Sequence, residues 1–454
     1  MISIYINNQL ADYFGDITIK KDNPLFSNFD KEPTEHTYTL TLPTTATNAN
    51  IFSLIQHTLA TPKKLPARIE IDGVQVLEGS CNVQSWSENG YSVYFSGIAP
   101  YEDANISPIK KMLGDARLLG EVINIADVKE LSGYFGDVGA YLNYTYNGKT
   151  LPAVVSADTY GWRAKASNEV SAISNRSNAT FAIGYILQRI ADVYGIRIDE
   201  VALFANLMVM QYGTKTTYDE VFEGSVIEKV VLQDSLPKLT PKQFIENVAI
   251  LMGGKMKVDY HNNRISFTLL DATATPTTQL SADISTINYE DVLSINAVKF
   301  ADIKPFEHKY KNENDDEVEV VKQYSIENSV SFGEGDNQSK AYTLPFSLPS
   351  INANIVVTPL VYEEDDDRLD NIILCRYTSL SLTSADIDLS DDFGLWKKVI
   401  DRHTSIKFSS HITPIQLATL DLWKPVFVDN IGNIYIKSIN YKSGGESELD
   451  GYLI

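Results

Sequence analysis

The chain has 454 residues, of which 44% are hydrophobic and 21% charged, a composition that is typical of folded globular proteins and excludes a disordered chain. This length corresponds to about three domains. The formal net charge is −21, and the densest basic groups are lysine pairs, so the surface repels phosphate backbones and no nucleic-acid partner is expected.

The first hundred residues predict strands joined by tight turns. Residues 67–71 and 74–76 alternate apolar and polar side chains around Asp72-Gly73, the strongest short-range signal of a hairpin. A short helix is predicted near Ile51–Leu59. We therefore expect residues 1–104 to form an N-terminal β-barrel or sandwich. Its further strands are predicted at Ile2–Ile6, Tyr38–Leu42 and Ser92–Ser96.

The middle region, residues 105–289, is predicted to be α+β. It begins with a glycine-containing, loop-rich part that includes a hairpin turn at Asn147-Gly148. Two modules follow, each a helix that ends at glycine and leads into a strand. The first helix is predicted from a cap at Asn178 to Gly195, and the strand after it covers residues 196–198. The second starts at the capping sequence Thr240-Pro241-Lys242-Gln243, ends at Gly253-Gly254 and continues into a hairpin of residues 255–260 and 264–269.

Residues 290–454 predict a third, β-rich domain that contains one short helix. The helix is expected to start at Thr413-Pro414 and to run to about Leu422. The fold class is therefore mainly β with α+β insertions, in which small β-barrel or sandwich domains are joined by helix–Gly–strand modules. The predicted strands are Val298–Phe306, Val318–Tyr324, Ile355–Val361, Ile372–Ser379 and Ile434–Tyr441.

Several short motifs imitate ligand-binding loops but lack a required residue. Phosphate-binding glycines precede a helix, whereas Gly253-Gly254 follows one, so this pair is interpreted as a helix stop. Asn147-Gly148-Lys149-Thr150 resembles the end of a P-loop, yet position 143 is Asn rather than Gly. Asp386–Asp391 resembles a calcium loop without its glycine, since the sixth position is Asp391, and the twelfth is Lys397 instead of Glu. The acidic run Glu363–Asp367 is interpreted as a solvated loop.

No catalytic, cofactor-binding or metal-binding residues are predicted. The six histidines show no zinc-ligand spacing, and neither cysteine belongs to a CxxC pair. Cys81 and Cys375 are interpreted as buried thiols, with one long-range disulfide left open. The chain is therefore expected not to be an enzyme and to need no cofactor. The histidines are His36, His57, His261, His308, His403 and His411.

Neither a signal sequence nor a membrane anchor is predicted. The start, MISIYINNQLADYF, has no basic segment followed by an apolar one. The most apolar stretch, Val201–Met210, is about half as long as a membrane-spanning helix. We therefore expect a protein that is not exported by a classical signal.

Three sequence patterns resemble tail proteins from phages and prophages of Bacteroidetes. The helix-then-hairpin segment 240–269 is also similar to an element of the baseplate hub fold. Together these segments cover about half of the chain. The patterns are Asn23-Pro24-Leu25-Phe26 with Tyr38–Pro43 and Asn48-Ala49-Asn50-Ile51-Phe52, the Ile69–Val76 hairpin that continues to Gly97, and Leu420–Val426 followed by Ile434–Ile439.

The resemblance implies a structural virion protein, a baseplate hub or tail-tip ring that connects the tail tube to a central spike or tip. A homotrimer is favoured, with tail tube, distal tail and spike or tip proteins as partners, in a tail assembled in the host cytoplasm. The family core has no known catalytic residues, so none are carried over. Two alternatives stay open: a distal tail protein that forms a hexameric ring, and a glycan-binding or glycan-degrading surface protein of another class.

Overall fold

Strands dominate the computed structural model of the chain, so the expected mainly β fold with helix–Gly–strand modules is confirmed. The structure describes residues 1–23, 25, 34–52, 64–97, 107–125, 129–130, 140–164, 170–211, 216–222, 225–230, 232–269, 275–276, 278–289, 297–302, 306–312, 314, 316–322, 329–331, 341–348, 350–352, 355–357, 372–378, 381–385 and 404–454.

The helices are short, and the strands vary from two to sixteen residues. In the described part of the chain the α-helices are α1 (Ala46–Ile51), α2 (Pro108–Gly114), α3 (Leu119–Val122), α4 (Ile183–Tyr194), α5 (Pro241–Leu251) and α6 (Pro414–Thr419). The first strands are β1 (Ile2–Ile6), β2 (Gln9–Ala11), β3 (Thr18–Asp22), β4 (Thr34–Thr37), β5 (Leu40–Leu42), β6 (Lys64–Ile71), β7 (Val74–Ser87), β8 (Gly90–Gly97) and β9 (Lys129–Glu130).

The remaining strands belong to the second and third predicted domains. The middle strands are β10 (Ala140–Tyr146), β11 (Lys149–Ala164), β12 (Val170–Ala182), β13 (Arg197–Ile198), β14 (Leu207–Gln211), β15 (Thr216–Phe222), β16 (Ser225–Val230), β17 (Gly254–Asp259), β18 (Arg264–Leu269), β19 (Thr278–Leu280) and β20 (Asp283–Asn288). The last are β21 (Ala297–Lys299), β22 (Phe306–Lys311), β23 (Glu317–Lys322), β24 (Ser329–Ser331), β25 (Ala341–Thr343), β26 (Phe346–Ser347), β27 (Ser350–Asn352), β28 (Ile355–Val357), β29 (Ile372–Thr378), β30 (Ser381–Ser384), β31 (Ser405–Ser410), β32 (Val426–Val428), β33 (Gly432–Lys442) and β34 (Ser447–Leu453).

The largest sheet joins both ends of the chain. Its strand order is β2-β1-β6-β7-β8-β4-β3-β33-β34-β31-β20, with β5, β19 and β32 paired beside this path. Strand β3 pairs antiparallel with β33, so Thr18 lies opposite Lys442. Among the described strands the path does not close on itself, so this sheet is open rather than a closed barrel. The three-domain division stays a prediction, and the β3–β33 pairing links its first part to its third.

The second sheet is built on the long hairpin β11–β12. Its order is β26-β29-β14-β12-β11-β28-β27, with β10 paired to β11 and β30 to β29. Smaller sheets are formed by β13-β18-β17, by β15-β16-β9, by β24-β21-β25 and by β22-β23. Strands from the middle region and from residues 346–384 therefore share one sheet.

Both predicted hairpin turns are confirmed. Asp72 and Gly73 have φ angles of 51° and 78°, and Asn147 and Gly148 have 48° and 72°. Two consecutive residues with positive φ define the turn whose twist matches that of antiparallel strands. Asp-Gly and Asn-Gly adopt it at low cost, because glycine has no Cβ and the short polar side chains tolerate the left-handed region.

The second helix–Gly–strand module was predicted correctly. In α5 the Thr240 side chain accepts from the amide of Gln243, the Gln243 side chain accepts from the amide of Thr240, and Pro241 opens the helix. Gly253 follows with φ of 65° and ends it. Strands β17 and β18 then form the expected hairpin. The glycine therefore acts as a left-handed helix stop, as its position predicts.

The start of the first module was predicted wrongly. Asn178 was expected to cap the helix, but it lies in β12, where it pairs with Ala157. Helix α4 begins at Ile183, after Ala182, because residues 181–182 are still paired with β14. The predicted end is right: Gly195 has φ of 66° and its amide bonds to Ala191.

Other predicted boundaries shift for local reasons. The helix expected near Ile51–Leu59 is α1, which ends at Ile51, and residues 53–63 lie outside the described residues. It starts earlier because the Thr45 side chain caps it. The expected strand Val298–Phe306 divides into β21 and the start of β22. Helix α6 ends at Thr419 rather than near Leu422, because Leu420 already has an extended backbone.

Two hydrophobic cores meet at the C-terminal hairpin β33–β34. The first core lies in the middle region, around α4, α5 and the second sheet. The second core lies inside the large sheet and includes Ile434, Ile436 and Leu449 of the hairpin. The neighbouring side chains Tyr435 and Tyr452 point the other way, into the first core, with 2% and 0% exposure. The hairpin is thus buried on both faces.

Asn23 attaches the N-terminal segment to the C-terminal one. Its side-chain nitrogen donates to the carbonyl oxygens of Leu422 (2.7 Å) and Ile436 (2.8 Å), and its side-chain oxygen accepts from the amide of Leu25 (3.0 Å). Its backbone amide donates to the Lys437 carbonyl at 2.8 Å. The residue is 4% exposed, so an amide of this shape satisfies buried backbone groups that water does not reach.

Asn48 makes a second connection of the same kind. Its side chain accepts from the Asp12 amide at 3.0 Å and donates to the carbonyls of Asp12 and Pro43, both at 2.9 Å. It is fully buried. Both asparagines belong to the sequence patterns quoted above, which therefore encode backbone connections rather than a chemical site.

We predict that Asn23→Ala lowers the free energy of unfolding by about 3 kcal/mol, because three buried backbone groups lose their partner at once. Urea denaturation followed by circular dichroism measures this change. Asn50→Ala is the matched control, since Asn50 lies exposed in α1 of the same patterns, and it should change the value by less than about 0.5 kcal/mol. Equal effects of the two substitutions would contradict the assigned role of Asn23.

Candidate functional site

The motifs that imitate ligand loops are turns where the structure describes them. Gly253 lies at the C-terminus of α5, where the helix dipole is negative and disfavours an anion. Asn147-Gly148-Lys149-Thr150 joins β10 to β11, and Tyr146 pairs with Lys149. The acidic run Glu363–Asp367 and the calcium-like segment 386–397 lie outside the described residues. No phosphate cradle is formed at either described turn.

Two histidines in the described part of the chain each lie beside a single carboxylate rather than in a cluster. His261 faces Glu78 at 3.7 Å, and His411 faces Glu446 at 3.6 Å, all at exposed or half-exposed positions. Across the residues that the structure describes, no three His, Cys, Asp or Glu side chains are placed to hold a metal ion. His36 lies in β4 and His308 in β22, while His57 and His403 are outside the described residues.

Both cysteines are free and buried, so the disulfide alternative is excluded. Burial raises the pKa of the Cys81 and Cys375 thiols to about 12. Both therefore stay protonated at neutral pH, and a protonated, inaccessible thiol is a poor nucleophile. They contribute to the two cores as small apolar side chains.

A carboxylate clamp connects α2 to α4. Asp115 follows α2 and accepts from the Arg117 guanidinium at 2.7 Å and from the Tyr194 hydroxyl at 2.6 Å. The hydrogen bond from Arg117 holds the pKa of Asp115 well below the usual carboxyl range, and the bond from Tyr194 adds to this effect. Since both donors stabilise the ionised carboxylate, the clamp fixes the start of the middle region against α4.

A buried ion pair lies where the two ends of the chain meet. The Lys21 ammonium on β3 is 2.6 Å from a carboxylate oxygen of Glu35 on β4. Lys21 also donates to the carbonyl of Leu417 on α6 at 3.3 Å. The two side chains are 15% and 9% exposed. Because each ion is held by its neighbour and the pair is largely closed to solvent, we assign it a structural role.

The most unusual surface is the edge strand β20. It pairs with β31 on one side and ends the order of the large sheet on the other. All of its residues are exposed, and Ile284, Ile287 and the following Tyr289 are 49%, 42% and 74% exposed. An edge strand presents unpaired backbone groups, and apolar side chains beside them favour pairing with another chain. We call Ile284, Ile287, Tyr289 and this strand edge the free edge.

Sequence reasoning missed the free edge because its apolar residues are three positions apart, whereas strands repeat every two. The pairing of β20 with β31 shifts in register between Ile284 and Thr286, and this bulge explains how two residues three positions apart lie on one face of the sheet. It places Ile284 opposite Phe408 and Ile287 opposite Ile406, two residues that are each 2% exposed. The bulge thus turns both isoleucines to the core side of the sheet, where nothing in the described structure covers them fully.

The other end of the large sheet also carries exposed apolar residues. Strand β2 pairs only with β1 in the described sheet, and its Leu10 is 54% exposed. Phe14, shortly after this strand, is 83% exposed. In the part of the chain that the structure describes, both end strands of this sheet therefore pair on one side only.

Comparison with known proteins gives structural similarity only. No protein-family model and no curated protein sequence matches the chain. The chain is similar to the 43 kDa tail protein of prophage MuSo2 from Shewanella oneidensis, with 11% identity, a TM-score of 0.40, and coverage of 100% of this chain and 96% of the other. It is also similar to the tail protein from Neisseria meningitidis MC58, with 9% identity, a TM-score of 0.36, and coverage of 99% and 95%. None of the described helices is long and apolar enough to cross a membrane.

We predict a pH-dependent effect of Asp115→Asn. Because the folded-state pKa of Asp115 is depressed, its stabilisation is complete above the ordinary carboxyl pKa of about 4 and is lost as the pH falls below it. At pH 7 the substitution should lower the melting temperature by about 2–4 °C. Below pH 4 the difference from the unchanged chain should shrink.

Asp192→Asn is the control for this prediction. Asp192 lies on α4 but is 68% exposed, with Arg189 at 3.4 Å, so its removal should change the melting temperature little. Scanning calorimetry at several pH values measures both variants. A difference for Asp115→Asn that is independent of pH would contradict the clamp.

Proposed function

We propose that the chain is a structural protein of a phage tail, a subunit of the baseplate hub or tail-tip ring that joins the tail tube to a central spike or tip. The residues that carry the resemblance support a scaffold role, because Asn23 and Asn48 are buried and hold backbone segments together. A site for chemistry would instead present such side chains to a cleft.

The free edge is the observation that carries an assembly role. A protein that acts alone blunts its sheet edges with charges, prolines or covering loops. In the described part of the chain, Ile284 and Ile287 are 49% and 42% exposed on a strand that pairs on one side only, at the end of the sheet that joins both chain termini. Pairing with a neighbouring subunit would bury these residues and satisfy the strand edge in one step.

The proposed mechanism is therefore assembly without catalysis. Subunits join through the large sheet into a ring, with three copies favoured, and the tail tube, distal tail and spike or tip proteins bind to it. The net charge of −21 keeps unassembled subunits apart through mutual repulsion until specific contacts form. Assembly would take place in the cytoplasm of the bacterial host, and the finished protein would be part of the virion tail.

The location of the protein in virions tests this function. Particles induced from the source bacterium are purified and labelled with gold-coupled antibodies against the chain. We expect label at the end of the tail that is distant from the head, at the tip. Label further up, at the junction of tube and baseplate, would favour the distal tail ring, and label on the cell surface without virion label would overturn the tail assignment.

We further predict that the free edge mediates self-association. Native mass spectrometry of the purified chain should show three copies, and Ile284→Lys with Ile287→Lys should yield monomers, because charges on an edge strand block pairing. Ile415→Lys is the matched control, since Ile415 is 62% exposed on α6 rather than on the edge strand, and this variant should stay trimeric. Six copies would favour the distal ring, and a trimer unchanged by the edge substitutions would contradict the role of the free edge.

A further inference from the structure

The loop that follows strand β2 presents an aromatic side chain to solvent. Phe14 is 83% exposed, and Leu10 on β2 is 54% exposed. The next residue after Phe14, Gly15, has φ of 150°, a conformation that residues with a Cβ rarely adopt, so this turn requires glycine. Contacts between subunits are enriched in aromatic side chains. We call Leu10 and Phe14 the β2 patch.

Both sides of the loop are anchored, so Phe14 is exposed on a fixed support. Before it, the Asn48 side chain bonds to the amide and to the carbonyl of Asp12. After it, the Ile17 amide donates to the Ser443 hydroxyl at 2.9 Å, and the Ser443 amide donates to the Ile17 carbonyl at 3.1 Å. An apolar side chain on a fixed loop loses little conformational entropy when a partner covers it.

A ring of three copies needs two different surfaces on each subunit. Contact between identical surfaces joins two copies about a two-fold axis and leaves no surface to bind a third. In the proposed ring, the free edge therefore meets a different surface of the neighbouring copy. In the described part of the large sheet, β20 stands at one end, β2 stands at the other, and each pairs on one side only.

We propose that the free edge of one copy binds the β2 patch of the next copy. This inference rests on the assembly role proposed above and names the surface that receives the free edge. The apolar side chains of the free edge would cover Leu10 and Phe14, so both partners would bury apolar surface. Backbone pairing would be limited to the three residues of β2, because the backbone of Asp12 beyond them is already bonded to Asn48.

Charge does not drive this contact. Asp12 and Asp16 flank Phe14, and β20 begins with an aspartate, so both surfaces carry carboxylates. Lys407 on the adjacent strand β31 lies opposite Asp450 of β34, so these two charges offset each other. Burial of apolar side chains must therefore outweigh the repulsion between copies, and the test replaces apolar side chains.

Mixing two complementary variants of the full-length chain tests the contact. The edge variant carries Ile284→Lys with Ile287→Lys, and the patch variant carries Leu10→Lys with Phe14→Lys. Each should be a monomer alone, because each lacks one half of the contact. Mixed in equal amounts, they should form a species with one copy of each, since the patch variant keeps an intact free edge and the edge variant an intact β2 patch. The variants differ in mass, so native mass spectrometry identifies this species.

A milder substitution supports the same test. Circular dichroism checks that both double variants fold. Phe14→Ala removes an exposed side chain and should leave the fold unchanged. It should raise the concentration at which the trimer dissociates by about tenfold, as measured by light scattering on dilution. Ile415→Lys is the control and should leave that concentration unchanged.

Three outcomes would overturn the proposal. These are a patch variant that stays trimeric, two monomeric variants that form no mixed species, and an unchanged chain that is a monomer or only a dimer. The gold labelling of virions tests the proposed function separately. Label at the tail tip without a mixed species would keep the function and reject this contact, whereas a mixed species with label on the cell surface would do the reverse.

Discussion

The fold depends on the C-terminal hairpin β33–β34, which is buried on both faces. Ile434 and Ile436 face the core of the large sheet, and Tyr435 and Tyr452 face the core of the middle region. A strand between two cores buries apolar side chains on both of its faces, so displacement of the hairpin would expose both cores to water. Gly451, opposite Ile436, is required there because a Cβ would lie 2.5 Å from an Ile434 methyl group.

This arrangement explains why the single side chain of Asn23 is important for joining the two ends of the chain. The two ends of the chain meet only after more than 400 residues have been placed, as the separation of Asn23 from Ile436 shows. A contact between residues so far apart in sequence costs the full entropy of loop closure before it stabilises the fold. Because the Asn23 side chain satisfies three buried backbone groups when the two chain ends meet in the native position, it favours that position over slightly shifted pairings of the two ends.

Local sequence signals predicted the parts of the fold that are decided locally. The turn at Asp72-Gly73 and the capping box of α5 follow from the conformations that a few neighbouring residues prefer. Asn178 shows where this reasoning fails. It has the chemistry of a helix cap, but pairing of β12 with β11 and then with β14 keeps the backbone extended as far as residue 182. Distant strand pairing overrides a local preference that contributes only about 1 kcal/mol.

The candidate site was hidden from the sequence for a related reason. A strand with one buried face shows apolar residues two apart, and Ile284 and Ile287 are three apart. Only the bulge, visible once β31 is its neighbour, places both on one face.

The edge strand β20 differs from the interior strands of the large sheet in what it can offer a partner. Interior strands such as β7 have a neighbour on each side, whereas among the described strands β20 pairs with β31 alone. Exposed apolar side chains beside unpaired backbone favour contact with another chain, and the paired interior strands lack that combination. The assembly contact proposed for this protein therefore belongs at the end of the sheet rather than on its interior strands.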